Sequence, residues 1–547
     1  MVEAVARPET PARARQVSVA AIVWVVAGLA FVALRIGTVW HAPVAGPELI
    51  HLSGAWQARI GDPDARFIPT LFQALAALAL RFSTSEVGPR LVALVATAMI
   101  PLALYLLRGR LGQGGALLAL VLLALDAPGV TLGTAASAMA FDLAIALWLV
   151  VVITKQSLPP WLYAAVGFGV ATAGPLALAL VAAWAAVRLL RRDYPEPLPA
   201  AFCTAGVVAG ILAATFRFGL GADGGLRVPP FDLFAASFDQ AWSSALTIEI
   251  GVLYSLPILG GGLAAVAVAG WRMYRAREAQ PDGLILLAWT LFALAWFLGS
   301  SRSHGSVPLV ALTTPLALIL GPALVEAVGA MARADWRYAR FLIPAGLLAL
   351  AVALSFSLDW ARDSKVGDGP EQLLVAGLCL AGLSALGIVA SARASMPALF
   401  GAVLAVAALP VLSGAFGVGF GAGGEPEPSP VSPAQARQLR AIALDTVAER
   451  GGTIVVHSDL AGAVTWPFRD SGSIVVASRV PADAMFLVWP SIAPPPEGFA
   501  PLAGEWHLML DPEAPLSGFL AYLKWFTSHE SLDINSASVA VYVRARQ

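Results

Sequence analysis

Charge is what this sequence has least of. Asp, Glu, Lys and Arg make up 13% of its 547 residues, where an ordinary soluble domain carries about 25%. With 58% of the residues hydrophobic, a single water-soluble fold is excluded, because no globular core of this length absorbs that much apolar surface. Net charge is equally scarce, at -1, and this removes any bulk electrostatic case for nucleic acid. The two cysteines, Cys203 and Cys379, both lie inside apolar runs, so there is no disulfide framework and no cysteine metal site. Nor is there the period-two alternation that a membrane β-barrel requires.

What the chain does have is long apolar runs rich in Ala, Leu and Val, each suited to crossing a hydrocarbon layer roughly 30 Å thick as a helix. Helices are expected near 17–37, 89–107, 115–133, 138–153, 161–174, 175–190, 199–217, 249–270, 283–299, 305–328, 341–358, 371–391 and 397–418. That pattern predicts about thirteen transmembrane helices. The first run follows Arg7, Arg13 and Arg15 and is too long for a cleaved signal core, so it reads as a retained helix. Placing the N-terminus in the cytoplasm puts Arg108 and Arg110, Lys155, Arg188 with Arg191 and Arg192, Arg272 with Arg275 and Arg277, Arg333 with Arg337 and Arg340, and Arg393 on one side, as the positive-inside rule requires. The scheme needs 161–190 to be two crossings parted at Gly174-Pro175. An odd number of crossings then sets the C-terminal domain outside, in a multi-pass protein of the cell's inner membrane.

Two outer segments are too long to be simple connections. In the first, Pro47 to Ile60 has the spacing of an amphipathic helix lying on the membrane, with Leu49, Ile50, Leu52, Trp56 and Ile60 on the apolar side and Glu48, His51, Gln57 and Arg59 elsewhere. Ile68 to Phe82 is apolar but short for a span, which predicts an interfacial or re-entrant helix. The second segment contains FDLFAASFDQAW, another candidate interfacial helix. The domains are therefore read as 1–420 in the membrane, 421–433 as a linker and 434–547 as a compact α/β unit. In that unit Ala434 to Arg450 and Pro515 to Phe526 read as helices, and GTIVVHS, SIVVAS, EWHLML and ASVAVYV as strands.

Three first-loop pieces, GPELIH, ARFIPTLFQAL and SEVGPRLVALV, resemble the opening of the GT-C-type polytopic glycosyltransferases, which take sugars from polyprenyl-phosphate carriers at the outer membrane face. YLLRGRLGQGGALLALVLLALDAPGV, the stretch through Ala140-Phe141-Asp142, and ATAGPLALAL are similar to that family's next helices and Gly-Pro break. Trp466-Pro467-Phe468-Arg469-Asp470 and LKWFTSHESLDINSASVAVYVR resemble the ending of its flippase-activity-associated branch, which is related to the mannosyl- and aminoarabinose-transferases. The resemblance implies a GT-C-like fold, membrane lipids and a polyprenyl-phosphate-linked sugar as partners, and an acceptor that the sequence does not name. It also implies a role for Arg302 and His304, in SSRSHGSVPL, at the carrier phosphate. This chain departs from the pattern where the family has Asp-Glu, since here Pro47-Glu48 leaves Glu48 alone. The alternative that follows is a non-catalytic scaffold or envelope-complex subunit that has lost its base.

Glycosyl transfer needs a carboxylate at the acceptor, and basic groups or a divalent metal ion at the departing phosphate. Glu48 is the best placed acid, and His51 lies one helical turn away, suited to sharing a proton or ion. Asp62 and Asp64 form an Asp-x-Asp pair fit for an oxygen-loving cation, and Asp126 and Asp142 are ionisable groups in or beside the membrane. Plain readings stand beside these. Glu48 would complement a helix dipole, Asp62 and Asp64 would belong to a solvated turn, and Asp142 would be a partnered structural acid. Trp466 and Lys524-Trp525 are core tryptophans or sugar contacts. The glycines of GVGFGAGG follow no strand and open no helix, so they are no phosphate loop.

Overall fold

The computed structural model describes residues 19–41, 44–45, 48, 51–52, 54–56, 70–154, 158–191, 197–218, 255–276, 281–300, 306–331, 431–432, 434–457, 474–490, 496–502, 506–512 and 534–545. Helices occupy every expected span within them. These are α1 (Val19–His41), α2 (Leu71–Phe82), α3 (Val87–Ala98), α4 (Ile100–Leu111), α5 (Gln113–Leu125), α6 (Ala127–Thr134), α7 (Met139–Thr154), α8 (Pro160–Thr172), α9 (Pro175–Arg191), α10 (Pro197–Phe218), α11 (Leu256–Ala276), α12 (Pro281–Ser300) and α13 (Ser306–Met331). The spans expected at 341–358, 371–391 and 397–418 lie outside the described residues, as do FDLFAASFDQAW and Pro515 to Phe526.

The figure of thirteen crossings is corrected by helix length. Among the described residues three helices are long and apolar enough to cross a membrane, namely Val19–Gly37, Val87–Leu111 and Val307–Met331, or up to four if the bent pair Pro160–Thr172 with Leu176–Leu189 is one span. The other apolar runs are divided. The 115–133 run breaks at Asp126, which leaves α5 for α6 in extended backbone, and α7 is only 16 residues long. At Gly174 the chain turns by 117° between α8 and α9, so this pair is not a straight span.

Close packing explains the small residues. A Cβ at Gly206 of α10 would collide with the backbone carbonyl of Ala164, and one at Gly210 would lie 2.9 Å from the Phe168 carbonyl oxygen. This Gly-x-x-x-Gly face lets α10 approach the α8 backbone directly. Gly206→Ala is expected to lower stability in detergent by about 1–3 kcal/mol through overpacking. An unchanged melting temperature would show that the two helices are not held that closely.

A buried polar node ties the bundle together. Asp126 accepts hydrogen bonds from Ser255 Oγ at 2.6 Å and from Thr313 Oγ1 of α13 at 2.8 Å. Arg35 of α1, also buried, donates to the carbonyls of Phe31 and Leu123, each at 3.0 Å. Charges at this depth persist only when partnered, and these partners come from separate elements.

The C-terminal domain is a helix, α14 (Ala434–Arg450), on a mixed sheet. Its strands are β3 (Thr453–His457), β4 (Ile474–Ala477), β5 (Ala484–Pro490), β6 (Phe499–Pro501), β7 (Trp506–Pro512) and β8 (Ile534–Arg544). β3 is parallel to both β4 and β5, and β8 is antiparallel to β5, β6 and β7. Leu439 and Ala443 of α14 pack on Ile454, Phe486, Val488 and Val541. The sheet does not stop at the domain. Two short strands extend it, β1 (Val44–Ala45) in the first loop and β2 (Val431–Ser432) in the stretch read as linker. Val431 faces Ala45 on one side and Leu510 on the other. The first loop and the C-terminal domain are therefore joined in one sheet.

Candidate functional site

The described residues of the first loop turn into the protein instead of lying flat. Helical backbone is present at Glu48, His51, Leu52 and 54–56, and Glu48, Leu52 and Ala55 are all buried, with at most 1% exposure. This corrects the amphipathic assignment, which set Glu48 apart from the apolar face. The spacing i, i+4, i+7 makes Glu48 part of the inward stripe. α2 begins at Thr70, whose hydroxyl accepts from Gln73 N at 3.1 Å as an N-cap. Its 12 residues reach about 18 Å, too short to cross, in keeping with the expected short loop helix. Leu52 and Ala55 pack with Phe72 and Ala76 of α2, Ala93 of α3 and Ala136, Ala138 and Ala140.

Glu48 is burial made tolerable by full pairing. Arg90 of α3 grips it with two parallel bonds, Nε to Oε1 and Nη2 to Oε2, both 2.8 Å. Ala136 N donates to Oε1 at 2.6 Å, and Arg90 Nη1 reaches the Val39 carbonyl at 3.3 Å. A forked guanidinium–carboxylate pair is the strongest geometry available to these groups. It gathers the end of α1, the loop helix, α3 and the turn before α7 around one carboxylate.

His51 is placed differently. Its ring meets Phe72 edge to face at 5.9 Å, and Nδ1 is buried without a hydrogen-bond partner. Gln73 Oε1 and Ser137 Oγ are also buried without partners. They belong to residues adjoining Phe72 and Ala136, which pack in the same cluster. Burial drives the His51 pKa down to about 4, against the opposing pull of the Glu48 charge, so the imidazole is neutral at pH 7.

Asp142 faces elsewhere. From the first turn of α7 it accepts from Leu176 N at 2.7 Å and Ala177 N at 2.9 Å, capping the open N-terminus of α9. The adjoining Phe141 packs 5.9 Å from Phe72, so one turn of α7 contributes to both places. Asp62, Asp64, Arg302 and His304 lie outside the described residues, as do Trp466 and Lys524-Trp525. Among the described residues no group of three or more His, Cys, Asp or Glu side chains converges to hold a metal ion.

The sequence held a signal for Arg90 in the acid-to-arginine step of SEVGPRLVALV, but nothing assigned it to Glu48. Ala136 carried no signal, because it contributes only its backbone N–H.

No protein-family model matches this sequence, and comparison with characterised proteins gives no match. Solved structures do match. The crystal structure of ArnT from Cupriavidus metallidurans bound to undecaprenyl phosphate aligns over 96% of this chain and 99% of that one, at 12% identity and a TM-score of 0.53. The apo structure of the same protein aligns over 85% and 87%, at 16% identity and a TM-score of 0.51. The fold is thus that of a GT-C-like polytopic membrane protein with a small C-terminal mixed-sheet domain.

Proposed function

We propose that the chain is a GT-C-type glycosyltransferase that moves a sugar from a polyprenyl-phosphate carrier to an acceptor at the outer membrane face. The observation that carries this reading is the convergence at the first loop. The C-terminal sheet reaches Ala45, three residues before a carboxylate held by Arg90 and Ala136 N, with a neutral histidine one turn on. The likeness to a protein crystallised with undecaprenyl phosphate supports a carrier of that chemistry.

In this reading the acceptor's nucleophilic atom attacks the anomeric carbon, the bond from that carbon to the phosphate oxygen breaks, and the carrier phosphate departs as an anion. The acceptor's proton passes to His51. Arg302 and His304 neutralise the phosphate, with Asp62 and Asp64 the candidate pair for any cation. Glu48 orients the loop and biases His51 electrostatically, while Asp142 sets the start of α9.

The test is His51→Gln, assayed with membranes, polyprenyl-phosphate mannose or aminoarabinose, and extracted envelope acceptors. Transfer is expected to fall by about 100- to 10,000-fold, the usual worth of a positioned proton acceptor, with folding intact. The same variant has a second readout. The unfolded histidine, near 6.5, binds its proton before the folded one at about 4. Stability therefore falls as pH drops from about 6.5 towards 4, and His51→Gln should flatten that part of the pH–melting curve. Unaltered transfer by His51→Gln would reject the assignment.

The second reading is a non-catalytic scaffold that handles lipid-linked sugars, and the buried clamp of Arg90 and Ala136 N on Glu48 favours it. Absence of transfer by the parent protein with every polyprenyl-phosphate donor tried would make it the better one.

A further inference from the structure

Two buried polar groups stand at the two ends of α6, and the transfer reading connects only one of them to the site. At the start is Asp126, which accepts from Ser255 Oγ and Thr313 Oγ1. At the far end, one residue past the C-cap Ala135, is Ala136, whose N–H holds Glu48 Oε1 at 2.6 Å. The eight residues between them, Ala127–Thr134, rise about 12 Å. Backbone bonds close both ends of this short helix, Val130 N to the Asp126 carbonyl at 2.8 Å and Ala135 N to the Thr131 carbonyl at 2.9 Å.

The neighbours of α6 lead to the same place. A Cβ at Gly129 would lie 3.0 Å from Asp126 Oδ2, and one at Gly133, a turn further on, would lie 3.2 Å from both Arg35 Nε and Thr97 Cγ2. Arg35 of α1 and Thr97 of α3 therefore border α6 closely. One turn beyond Arg35, α1 offers the Val39 carbonyl to Arg90; two turns before Thr97, α3 carries Arg90 itself, which grips Glu48. Arg35 also holds the carbonyl of Leu123, three residues before Asp126. Thus α1, α3 and α6 run together from the Asp126 node to the Glu48 clamp. The start of α6 is fixed from outside this group, by Ser255 at the head of α11 and by Thr313 of α13.

We infer that Asp126 is a positioning residue for the first-loop site: through α6 it sets where Ala136 N stands, and so where Glu48 and the neighbouring His51 are held. A backbone N–H has no rotamers, so its aim is decided by the segment that carries it. An eight-residue helix is too short to hold its own place and depends on its anchors. A tilt of about 5° at Asp126 moves the far end of α6 by about 1 Å over its length, and a misplacement of that size costs a reaction about 100-fold. The consequence for transfer rests on the function proposed above. The consequence for the bond from Ala136 to Glu48 does not.

The test reads hydrogen exchange at the Ala136 amide of the full-length protein. Thr313→Val removes one hydroxyl from Asp126 while keeping the shape of the side chain, and Asp126→Asn removes the charge that both hydroxyls serve. Each is expected to speed exchange at Ala136 by about tenfold, or about 1.4 kcal/mol, near the lower worth of a hydrogen bond to a charged group. Exchange at Ala177, which is held by Asp142, should stay at the parent rate. Thr313→Ser keeps the hydroxyl and should restore parent behaviour. In the transfer assay Thr313→Val should lower kcat by about 10- to 100-fold and leave the donor KM unchanged, the signature of an interaction that matters only in the transition state. Should Asp126→Asn fail to fold, Thr313→Val decides the matter. A general loosening would instead speed exchange at Ala136 and Ala177 together. That outcome, or parent-like exchange at Ala136 in a folded Thr313→Val, overturns the proposal. If the parent protein transfers no sugar, the glycosyltransferase reading fails on its own, and the two exchange rates still decide whether Asp126 positions Ala136.

Discussion

Glu48→Gln is expected to destabilise the membrane domain by about 3–5 kcal/mol, the usual cost of removing one partner from a buried ion pair. The size follows from what is left behind. Arg90 is 2% exposed and Glu48 1%, so no water replaces the lost carboxylate oxygens. A glutamine offers one acceptor where the fork needs two. Arg90→Lys should cost less than Glu48→Gln, since a charge remains to face Glu48 although the parallel geometry is lost. The informative variant is the pair Glu48→Gln with Arg90→Gln. Removing both charges relieves the stranded guanidinium, so the double variant should be more stable than Glu48→Gln alone, with a coupling energy of about 1–3 kcal/mol in the double-mutant cycle. Thermal unfolding of the detergent-solubilised protein measures all four. Should the single and double variants melt as the parent does, the pair would not be what holds the loop.

That experiment also bears on function, because it separates two roles the sequence could not part. If Glu48→Gln lowers transfer only in proportion to the fraction folded, Glu48 is a positioning residue, and the proton must go elsewhere. His51→Gln, which breaks no described hydrogen bond of the side chain, should then show the opposite signature of lost transfer with an intact fold. A first-loop acid can be found from motif position alone. Whether it is poised or clamped depends on a residue 42 positions away, and local periodicity carries no information about that distance.

The same limit decides what else was legible. The helices were, because apolar runs record burial in lipid directly, and each expected span within the described residues contains helix. Counting crossings failed where polar or strained residues divide a run. Asp126 reads as an outer-end acid, yet it breaks the 115–133 run into α5 and α6 while binding Ser255 and Thr313. In the C-terminal domain the strands Thr453–His457, Ile474–Ala477, Trp506–Pro512 and Ile534–Arg544 follow from their β-branched and aromatic content. Ala484–Pro490, inside the sheet, is as apolar, but its run AMFLVWP has no period-two alternation to mark it as a strand. β1 and β2 were out of reach of any pattern, because two residues have no period. They are also the elements that bring the C-terminal sheet to the first loop, so the contact that most shapes the proposed site left no trace in composition.

The second large effect is expected at Asp142. Its two oxygens take the N–H groups of Leu176 and Ala177, which α9 cannot satisfy within itself because they lie in its first turn. Asp142→Ala leaves both donors buried and unpaired, at about 1–3 kcal/mol for each, so a loss of about 2–5 kcal/mol is expected. Asp142→Asn keeps one acceptor oxygen and should lose less. The glycine at the break serves the same contact. A Cβ at Gly174 would lie 2.5 Å from Asp142 Oδ2 and 2.8 Å from its Cγ, so Gly174→Ala must push the carboxylate off the helix end. It should therefore reproduce much of the Asp142→Ala defect without touching the acid. Hydrogen exchange at the amides of Leu176 and Ala177 is the direct readout, since both variants should speed it while exchange in α14 of the C-terminal domain stays unchanged. Parent-like protection of those two amides in Asp142→Ala would mean that α9 is capped by some other group. Asp142 would then regain its standing as a candidate for the chemistry.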